Sequence, residues 1–227
     1  MHWDERSTPI TRRELQVMED EVIHLQLLVD DLFTLARAEV GKLELRYEST
    51  DVGQLVRDIV ENGAPLVWQS SRIEVVAETP SEIVDVLVDP KRLEQVLRNL
   101  LHNAVRHTTP GGIVVAQVIV EPEAVLIQVK DTGEGISPED LPHIWERFYQ
   151  TERSRTRTVN GAGLGLALVK EWIEEMGGTV SVESTVSEGS CFSLHLPRSI
   201  ECDVETAPKR SMSDHAETAL EFSDHSG

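Results

Sequence analysis

Apolar residues in the N-terminal part of the chain recur with helical spacing. They predict a long helix over residues 11–47, with Thr11 as its N-cap and Glu14 as the reciprocal partner of a capping box. Its seam alternates spacings of three and four residues, at Leu15, Met18, Val22, Leu25, Val29, Leu32 and Ala36. Further apolar residues widen the seam, namely Ile23, Leu27, Leu28, Phe33 and Leu35. That width favours a four-helix bundle, and the alternative is a helix packed against its own domain.

Between residues 51 and 197 the pattern alternates between helical and strand-like periods. Helices are predicted over 51–69, 89–107 and 164–176, and strands over 72–78, 83–88, 113–120, 124–130, 179–183 and 190–196. Residues 121–124 are typical of a hairpin connection. Hairpins, combined with helices that do not follow every strand, favour a mixed sheet covered on one face. The predicted fold class is therefore α/β, a two-layer α/β sandwich over residues 48–197.

Composition narrows the classes of partner. The 227 residues carry a formal net charge of −19, which argues against duplex nucleic acid or an anionic membrane surface as a partner. Residues 198–227 are polar and without periodicity, which predicts a disordered acidic tail. Cys191 and Cys202 are too few for a disulfide framework, and no apolar run approaches the roughly 18 to 20 residues that span a bilayer. These features predict a cytoplasmic chain.

Three short motifs stand out within the α/β region. Asn99 and Asn103 lie one turn apart in a predicted helix, residues 131–135 (Asp-Thr-Gly-Glu-Gly) follow a predicted strand, and residues 161–166 (Gly-Ala-Gly-Leu-Gly-Leu) precede a helix. Each motif alone is weak, because glycine clusters also serve ordinary turns. Together, in this order, they predict a nucleotide site.

At these motifs the sequence resembles the nucleotide-binding domain of sensor histidine kinases, within the superfamily that includes gyrase and the Hsp90 chaperone. The resemblance runs from about Thr11 to Pro197. It implies a Bergerat-type ATP-binding fold preceded by a long dimerisation helix. Its motifs are the asparagine box at 89–107, the first glycine box at 129–136, the phenylalanine box at 144–149 with Trp145 where phenylalanine is commoner, the second glycine box at 161–166, and closing strand signals at 176–178 and 188–190.

The asparagine box carries candidate groups for the phosphates. An asparagine carbonyl oxygen is a suitable hard ligand for Mg²⁺ that bridges phosphates, and Asn103 is the predicted metal ligand. Arg106 on the next turn places a cation near the phosphates. His107 supplies an imidazole that flanks the base or the ribose, and its alternative is a plain helix-end residue. The expected cofactors are therefore ATP and Mg²⁺.

The glycine boxes provide candidate groups for the base and the phosphates. The Asp131 carboxylate only accepts hydrogen bonds, so it can pair with the exocyclic amine of adenine and select ATP over GTP. Gly133 and Gly135 allow the backbone to approach a planar ring, although the same sequence also forms ordinary turns. Amides at the start of the helix after the second glycine box suit phosphate oxygens, and the predicted contacts there are Gly161, Gly163, Leu164 and Gly165.

The loop between these elements is unusually basic. Residues 149–160 carry Arg153, Arg155 and Arg157 in an otherwise acidic chain, and the segment looks like an ATP lid. Arg147 and Arg155 are predicted to stabilise charge on the γ-phosphate. The alternative is a solvated arginine loop.

The expected reaction depends on Asn99. Hydrolysing members of the superfamily have a glutamate there that activates water, whereas histidine kinases usually have asparagine, which cannot act as a general base. The resemblance therefore implies attack by a histidine nitrogen on the γ-phosphate of ATP, with Asn99, Arg147 and Arg155 as catalytic residues. The phosphoryl group would then pass to an aspartate on a response regulator receiver domain.

The chain departs from the family pattern in one respect. No His-Glu/Asp-x-Arg/Lys-x-Pro motif for a phosphoacceptor histidine is present, His2 has the wrong spacing to Pro9, and His24 is interpreted as a bundle-surface residue. Residues 1–47 are therefore interpreted as the C-terminal helix of an incomplete dimerisation hairpin that supports a homodimer. The chain would be a fragment of a membrane-anchored sensor or a native truncation that uses a phosphoacceptor hairpin of another chain. Alternative functions are a noncatalytic ATP-binding regulator and an anti-sigma-type serine kinase.

Overall fold

The computed structural model describes residues 45–62, 72–151 and 163–198. Its helices are α1 (Val52–Asn62), α2 (Pro90–His107) and α3 (Gly165–Glu175). Its strands are β1 (Glu48–Asp51), β2 (Glu74–Glu78), β3 (Asp85–Val88), β4 (Ile113–Val120), β5 (Ala124–Asp131), β6 (Thr179–Thr185) and β7 (Gly189–Pro197).

Five strands form the predicted mixed sheet, in the order β2-β4-β5-β7-β6. The β2–β4 pair is parallel and the other pairs are antiparallel, and the predicted hairpin joins β4 to β5. β1 and β3 instead form a separate antiparallel pair. Strand β1 was not predicted, because its four residues, Glu-Ser-Thr-Asp, carry no apolar alternation.

One face of the sheet is apolar and lies against the helices. Ala116, Val129 and Phe192 are cross-strand neighbours on β4, β5 and β7, and all three are buried. The helices cover them with buried side chains, including Leu93, Val96, Leu97, Leu100, Leu101, Leu168, Val169, Trp172 and Ile173. Burial of each large apolar side chain contributes about 1.5 to 3 kcal/mol, so this layer holds the sheet and helices together.

Three polar side chains on the opposite face of the sheet are bonded to one another. Lys130 Nζ donates to Gln117 Oε1 at 2.8 Å, and Gln117 Nε2 donates to Glu78 Oε2 at 2.9 Å. The Gln117–Glu78 bond joins register partners on β4 and β2, and the Lys130–Gln117 bond runs diagonally between β5 and β4. The contrast between the two faces follows from strand geometry, because alternate side chains point to opposite sides.

Helix α2 begins one residue later than predicted, because Asp89 is its N-cap. Asp89 Oδ1 accepts from the backbone N–H groups of Lys91 and Arg92, each at 3.1 Å, and Pro90 occupies the first helical position. Helix α1 is capped by Asp51, whose Oδ1 accepts from the Gln54 N–H at 3.1 Å. The predicted extension of that helix past residue 62 falls on residues outside the described ones.

The segment that leads into the sheet corrects the predicted end of the first helix. Residues 45–47 lie in neither a helix nor a strand. The Arg46 N–H donates to Asp89 Oδ2 at 3.0 Å, and the Tyr47 hydroxyl donates to the Glu175 carbonyl at 3.0 Å. These tertiary bonds, together with packing of Leu45 against the core, replace the intrahelical bonds that periodicity alone predicted.

Several predictions fall outside the described residues. They concern the helix over residues 11–44, the basic loop with Arg153, Arg155 and Arg157, the glycine at Gly161, and the tail from residue 199 onward. Within the described ranges, no helix is both long and apolar enough to cross a membrane.

Candidate nucleotide-binding site

Helix α2 carries Asn99 and Asn103 to the junction with α3. Asn99 is only 5% exposed although it is polar, whereas Asn103 is half-buried one turn later. A Cβ atom added to Gly165 would lie 3.7 Å from Asn99 Cγ. The asparagine box and the first turn of α3 are therefore direct neighbours. Asn103 supplies one amide oxygen, so Mg²⁺ held there would need phosphate oxygens and water to complete its coordination.

Asp131 ends β5 on the helix-covered face of the sheet. Its cross-strand partners are Val114 and Ser190, and Asp131 is 9% exposed. The Gly133 N–H donates to Asp131 Oδ1 at 2.8 Å. Asp131 is therefore a largely buried carboxylate at the end of a strand, on the side of the sheet that faces the helices.

Burial is the main influence on the Asp131 carboxyl. It raises the pKa of Asp131 above the ordinary value of 3.8, because a low-dielectric surrounding disfavours the charged form. Hydrogen bonds from the backbone N–H groups of Gly133 and Ser190 oppose this rise in pKa. Nearby His107 also lowers the pKa of Asp131, and Glu134 raises it. The carboxyl group is thus desolvated and held by fixed donors.

The loop after Asp131 is attached to the C-terminal end of α2. The Glu134 N–H donates to the His107 carbonyl at 3.1 Å, and the His107 Nδ1 and Glu134 Oε1 atoms are 2.6 Å apart. A side chain on Gly133 would clash with that same His107 carbonyl. Glycine is therefore required at 133 by the close approach of the loop to the helix, in addition to any approach to a ligand.

The β6–β7 turn packs against the same loop from the other side. The Ile136 N–H donates to Ser184 Oγ at 2.8 Å, and the Ser187 N–H donates to the Glu134 carbonyl at 2.9 Å. Gly135 lies against the Thr185 backbone. The contacts of Glu134 and Ser184 with this loop and with α2 were not predicted, and only the position of Glu134 inside the glycine box pointed to it.

The described part of the second glycine box starts at Gly163, which is bonded to Phe148. The Phe148 N–H donates to the Gly163 carbonyl at 2.8 Å, and Gly163 has a φ of 72°, a left-handed conformation that suits glycine. Leu164 is buried at the start of α3, and Gly165 is its first helical residue. The described part of this box therefore packs where the motif predicts, directly before α3.

Of the three arginines predicted for the site, Arg106 and Arg147 lie in the described residues, and their surroundings differ. Arg106 and His107 are half-buried in the last turn of α2, beside the loop after Asp131. Arg147 instead pairs with Glu171 on α3, with Nη2 and Oε2 3.0 Å apart, and its side chain is 44% exposed. The structure brings His107 to Asp131, but it places Arg147 in an ion pair on the outer side of α3.

The geometry fits a known family. Residues 88–200 match the model described as histidine kinase-, DNA gyrase B-, and HSP90-like ATPase. These residues are a histidine kinase-type ATPase domain. Since the matched stretch contains the asparagine box, Asp131 and α3, the ATPase-domain assignment and the described site concern the same part of the chain.

Named relatives of the ATPase domain are histidine kinases. The chain is 35% identical over 194 residues to the circadian input-output histidine kinase CikA of Synechococcus elongatus, which covers 83% of this chain and 26% of that protein. It is 31% identical over 200 residues to the sensor histidine kinase MtrB of Mycobacterium tuberculosis, which covers 88% of this chain and 35% of that protein. The chain thus spans about a third or less of these curated relatives.

Solved structures agree with this assignment. Full-length ShkA in complex with AMPPNP superposes with a TM-score of 0.67 at 31% identity, covering 84% of this chain and 40% of that one. The catalytic domain of histidine kinase ThkA superposes with a TM-score of 0.59 at 25% identity, covering 67% of this chain and 96% of that one. The described region therefore has the fold of an ATP-binding histidine kinase catalytic domain.

Proposed function

We propose that this chain is the catalytic portion of a two-component sensor histidine kinase. In this proposal it binds Mg-ATP and transfers the γ-phosphoryl group to a histidine on a phosphoacceptor hairpin, for relay to a response regulator receiver domain. The observation that carries the proposal is the buried Asp131 carboxylate, which is bonded to the Gly133 N–H in a loop that is itself bonded to the end of α2. Residues 1–47, 48–197 and 198–227 serve as dimerisation helix, catalytic domain and tail.

The chain's own groups have distinct tasks in this transfer. Asp131 accepts a hydrogen bond from the adenine amine, and the first-turn amides of α3 face phosphate oxygens. A histidine nitrogen forms a bond to the γ-phosphorus while the bond to the bridging oxygen of ADP breaks, which leaves ADP and a phosphohistidine. Asn99 cannot take a proton from water, so its amide favours this transfer over hydrolysis. Asn103 would hold Mg²⁺, and the bound ion would supply positive charge that neutralises the phosphates.

Phosphate transfer from γ-labelled ATP tests the proposal. The chain is assayed alone and mixed with a phosphoacceptor hairpin from a related kinase, both with Mg²⁺. Label on the added hairpin supports the proposed kinase. Measurable ATP binding with no label on either protein contradicts it and favours a noncatalytic ATP-binding regulator, while label on a serine of an added partner favours the anti-sigma type.

The Asn103→Ala variant tests the metal assignment separately. Loss of the amide oxygen should weaken ATP binding on the order of tenfold when Mg²⁺ is present, because a hydrogen-bonded or metal-bound polar group in a partly buried site is worth about 1 to 2 kcal/mol. Calorimetric titration with Mg²⁺ and with a chelator measures the difference. An equal loss of affinity under both conditions would show that Asn103 does not hold the metal.

A further inference from the structure

His107 and Glu134 form a side-chain pair at the edge of the proposed base site. Their Nδ1 and Oε1 atoms are 2.6 Å apart, and the two side chains are 33% and 26% exposed. We infer that Glu134 is a positioning residue that fixes the ring plane and the tautomer of His107 for contact with the nucleoside part of ATP. This inference rests on the proposed function, because it assumes that a nucleotide binds beside Asp131.

The hydrogen-bonding capacity of the two groups sets the tautomer. A carboxylate accepts hydrogen bonds and cannot donate them, so Nδ1 of a neutral His107 must carry the proton. The lone pair of the neutral ring then lies on Nε2, the nitrogen that does not face Glu134. Without Glu134 the ring would choose its tautomer and its χ2 angle freely.

The backbone gives Glu134 a fixed direction. Its N–H donates to the His107 carbonyl at 3.1 Å, and its carbonyl accepts from the Ser187 N–H at 2.9 Å. The same two residues are therefore joined twice, once through the backbone and once through side chains. Because the backbone N–H and carbonyl of Glu134 are both hydrogen-bonded, its Cα atom has a fixed position. Its side chain therefore loses little further conformational entropy when it orients the His107 ring.

Electrostatic contact links this pair to the base-recognising carboxylate. His107 lowers and Glu134 raises the pKa of Asp131, so both groups act on the same small region. Asp131 is only two residues from Gly133, whose lack of a side chain lets the loop reach the end of α2. An imidazole held in one orientation at this edge offers the nucleoside a preformed surface instead of a rotating one.

A second histidine–glutamate pair supplies a matched control. His143 Nδ1 and Glu146 Oε1 are 2.7 Å apart, at similar geometry, but the two side chains are 49% and 61% exposed. This pair lies within one turn segment, three residues apart, and no contact joins it to Asp131 among the described residues. Removing Glu146 should therefore release a histidine ring without changing nucleotide affinity.

The test compares Glu134→Ala, Glu134→Gln and Glu146→Ala in the full chain. Calorimetric titration should show ATP affinity about three- to tenfold lower for Glu134→Ala, since one net hydrogen bond is worth about 0.5 to 1.5 kcal/mol. Glu134→Gln keeps an acceptor oxygen and should stay within about twofold of the parent chain, as should Glu146→Ala. The loss in Glu134→Ala should be the same with and without Mg²⁺, because the contact is on the nucleoside side.

Imidazole ¹⁵N chemical shifts provide the second readout. The parent chain should show His107 protonated on Nδ1, and Glu134→Ala should lose that preference, whereas Glu134→Gln should keep it. An Nε2-protonated His107 in the parent chain, or unchanged ATP affinity in Glu134→Ala, would overturn the inference. Absence of ATP binding by the parent chain would instead overturn the proposed function, and the ¹⁵N shifts would still report the orientation of His107.

Discussion

The base side and the phosphate side of the site differ in how their charged groups are held. Asp131 is 9% exposed and bonded to the Gly133 N–H, and the loop that follows it is joined to α2 and to the β6–β7 turn. Arg147 is 44% exposed and paired with Glu171. In the proposed site, the carboxylate of Asp131 is therefore fixed by the fold, whereas the guanidinium of Arg147 is exposed and shares its charge with Glu171.

Asp131→Asn should have the largest effect on nucleotide affinity, because it changes the carboxylate proposed to recognise the base. An asparagine amide can present a donor where adenine also presents one, so ATP affinity should fall about 100-fold, the loss typical of a buried group left without its partner. Titration with ATP and with GTP measures the loss of affinity and of base selection. Equal ATP affinities of the parent and variant chains would show that Asp131 does not contact the base.

The folding stability of Asp131→Asn should not fall, although its ATP affinity does. The raised pKa of Asp131 means that the ionised carboxylate lowers stability above its folded-state pKa, and that this penalty disappears as pH falls toward the ordinary value of 3.8. Asparagine carries no such penalty. Urea unfolding at neutral pH should therefore show Asp131→Asn to be at least as stable as the parent chain, and a clear loss of stability would contradict the desolvated position of the carboxyl.

Gly133→Ala tests the attachment of the loop to α2. The new Cβ would clash with the His107 carbonyl, so the free energy of unfolding should fall by about 1 to 3 kcal/mol, as for other overpacked sites. Gly165→Ala is the control, because its Cβ would lie at an ordinary 3.7 Å from Asn99. Denaturant unfolding of both variants checks the difference. Equal stabilities would mean that the loop moves away from the helix without strain.

Asp89→Ala tests the N-cap of α2, the helix that carries Asn99, Asn103 and His107. The change removes acceptors for the N–H groups of Lys91, Arg92 and Arg46, and it should cost about 1 kcal/mol of stability, the usual value of an N-cap. Asp89→Asn retains one acceptor oxygen and should cost less. Hydrogen exchange of the first turn of α2 should increase in Asp89→Ala, and unchanged exchange there would contradict the capping role.

Glu171→Gln tests the ion pair of Arg147 and should have the smallest effect on ATP affinity. The substitution removes the charge that holds Arg147, and surface ion pairs are worth about 0 to 1 kcal/mol. Affinity for ATP should therefore rise by no more than about fivefold, and an unchanged affinity for adenosine should accompany it. A decrease in ATP affinity would show that Glu171 assists binding instead of competing for Arg147.

Local patterns predicted the elements of the catalytic region well, because helices and strands are set by residues near each other in the chain. The predicted strand over 113–120 coincides with β4, and α2 differs from its prediction only in Asp89 being the cap. Periodicity extended the first helix too far, since it carries no information about the bonds of Arg46 and Tyr47 to residues far along the chain. The same limit explains why β1 was missed.

The sequence by itself determined which chemical groups the proposed site contains, because Asn99, Asn103 and Asp131 stand in motifs of fixed order and spacing. Only the tertiary structure decided how those groups are held. It paired His107 with Glu134, 27 residues away, and Arg147 with Glu171, 24 residues away. The physical reason is that a motif consists of residues close together in the sequence. Burial, tautomer and ion pairing instead depend on which distant segments the packed sheet and helices bring together.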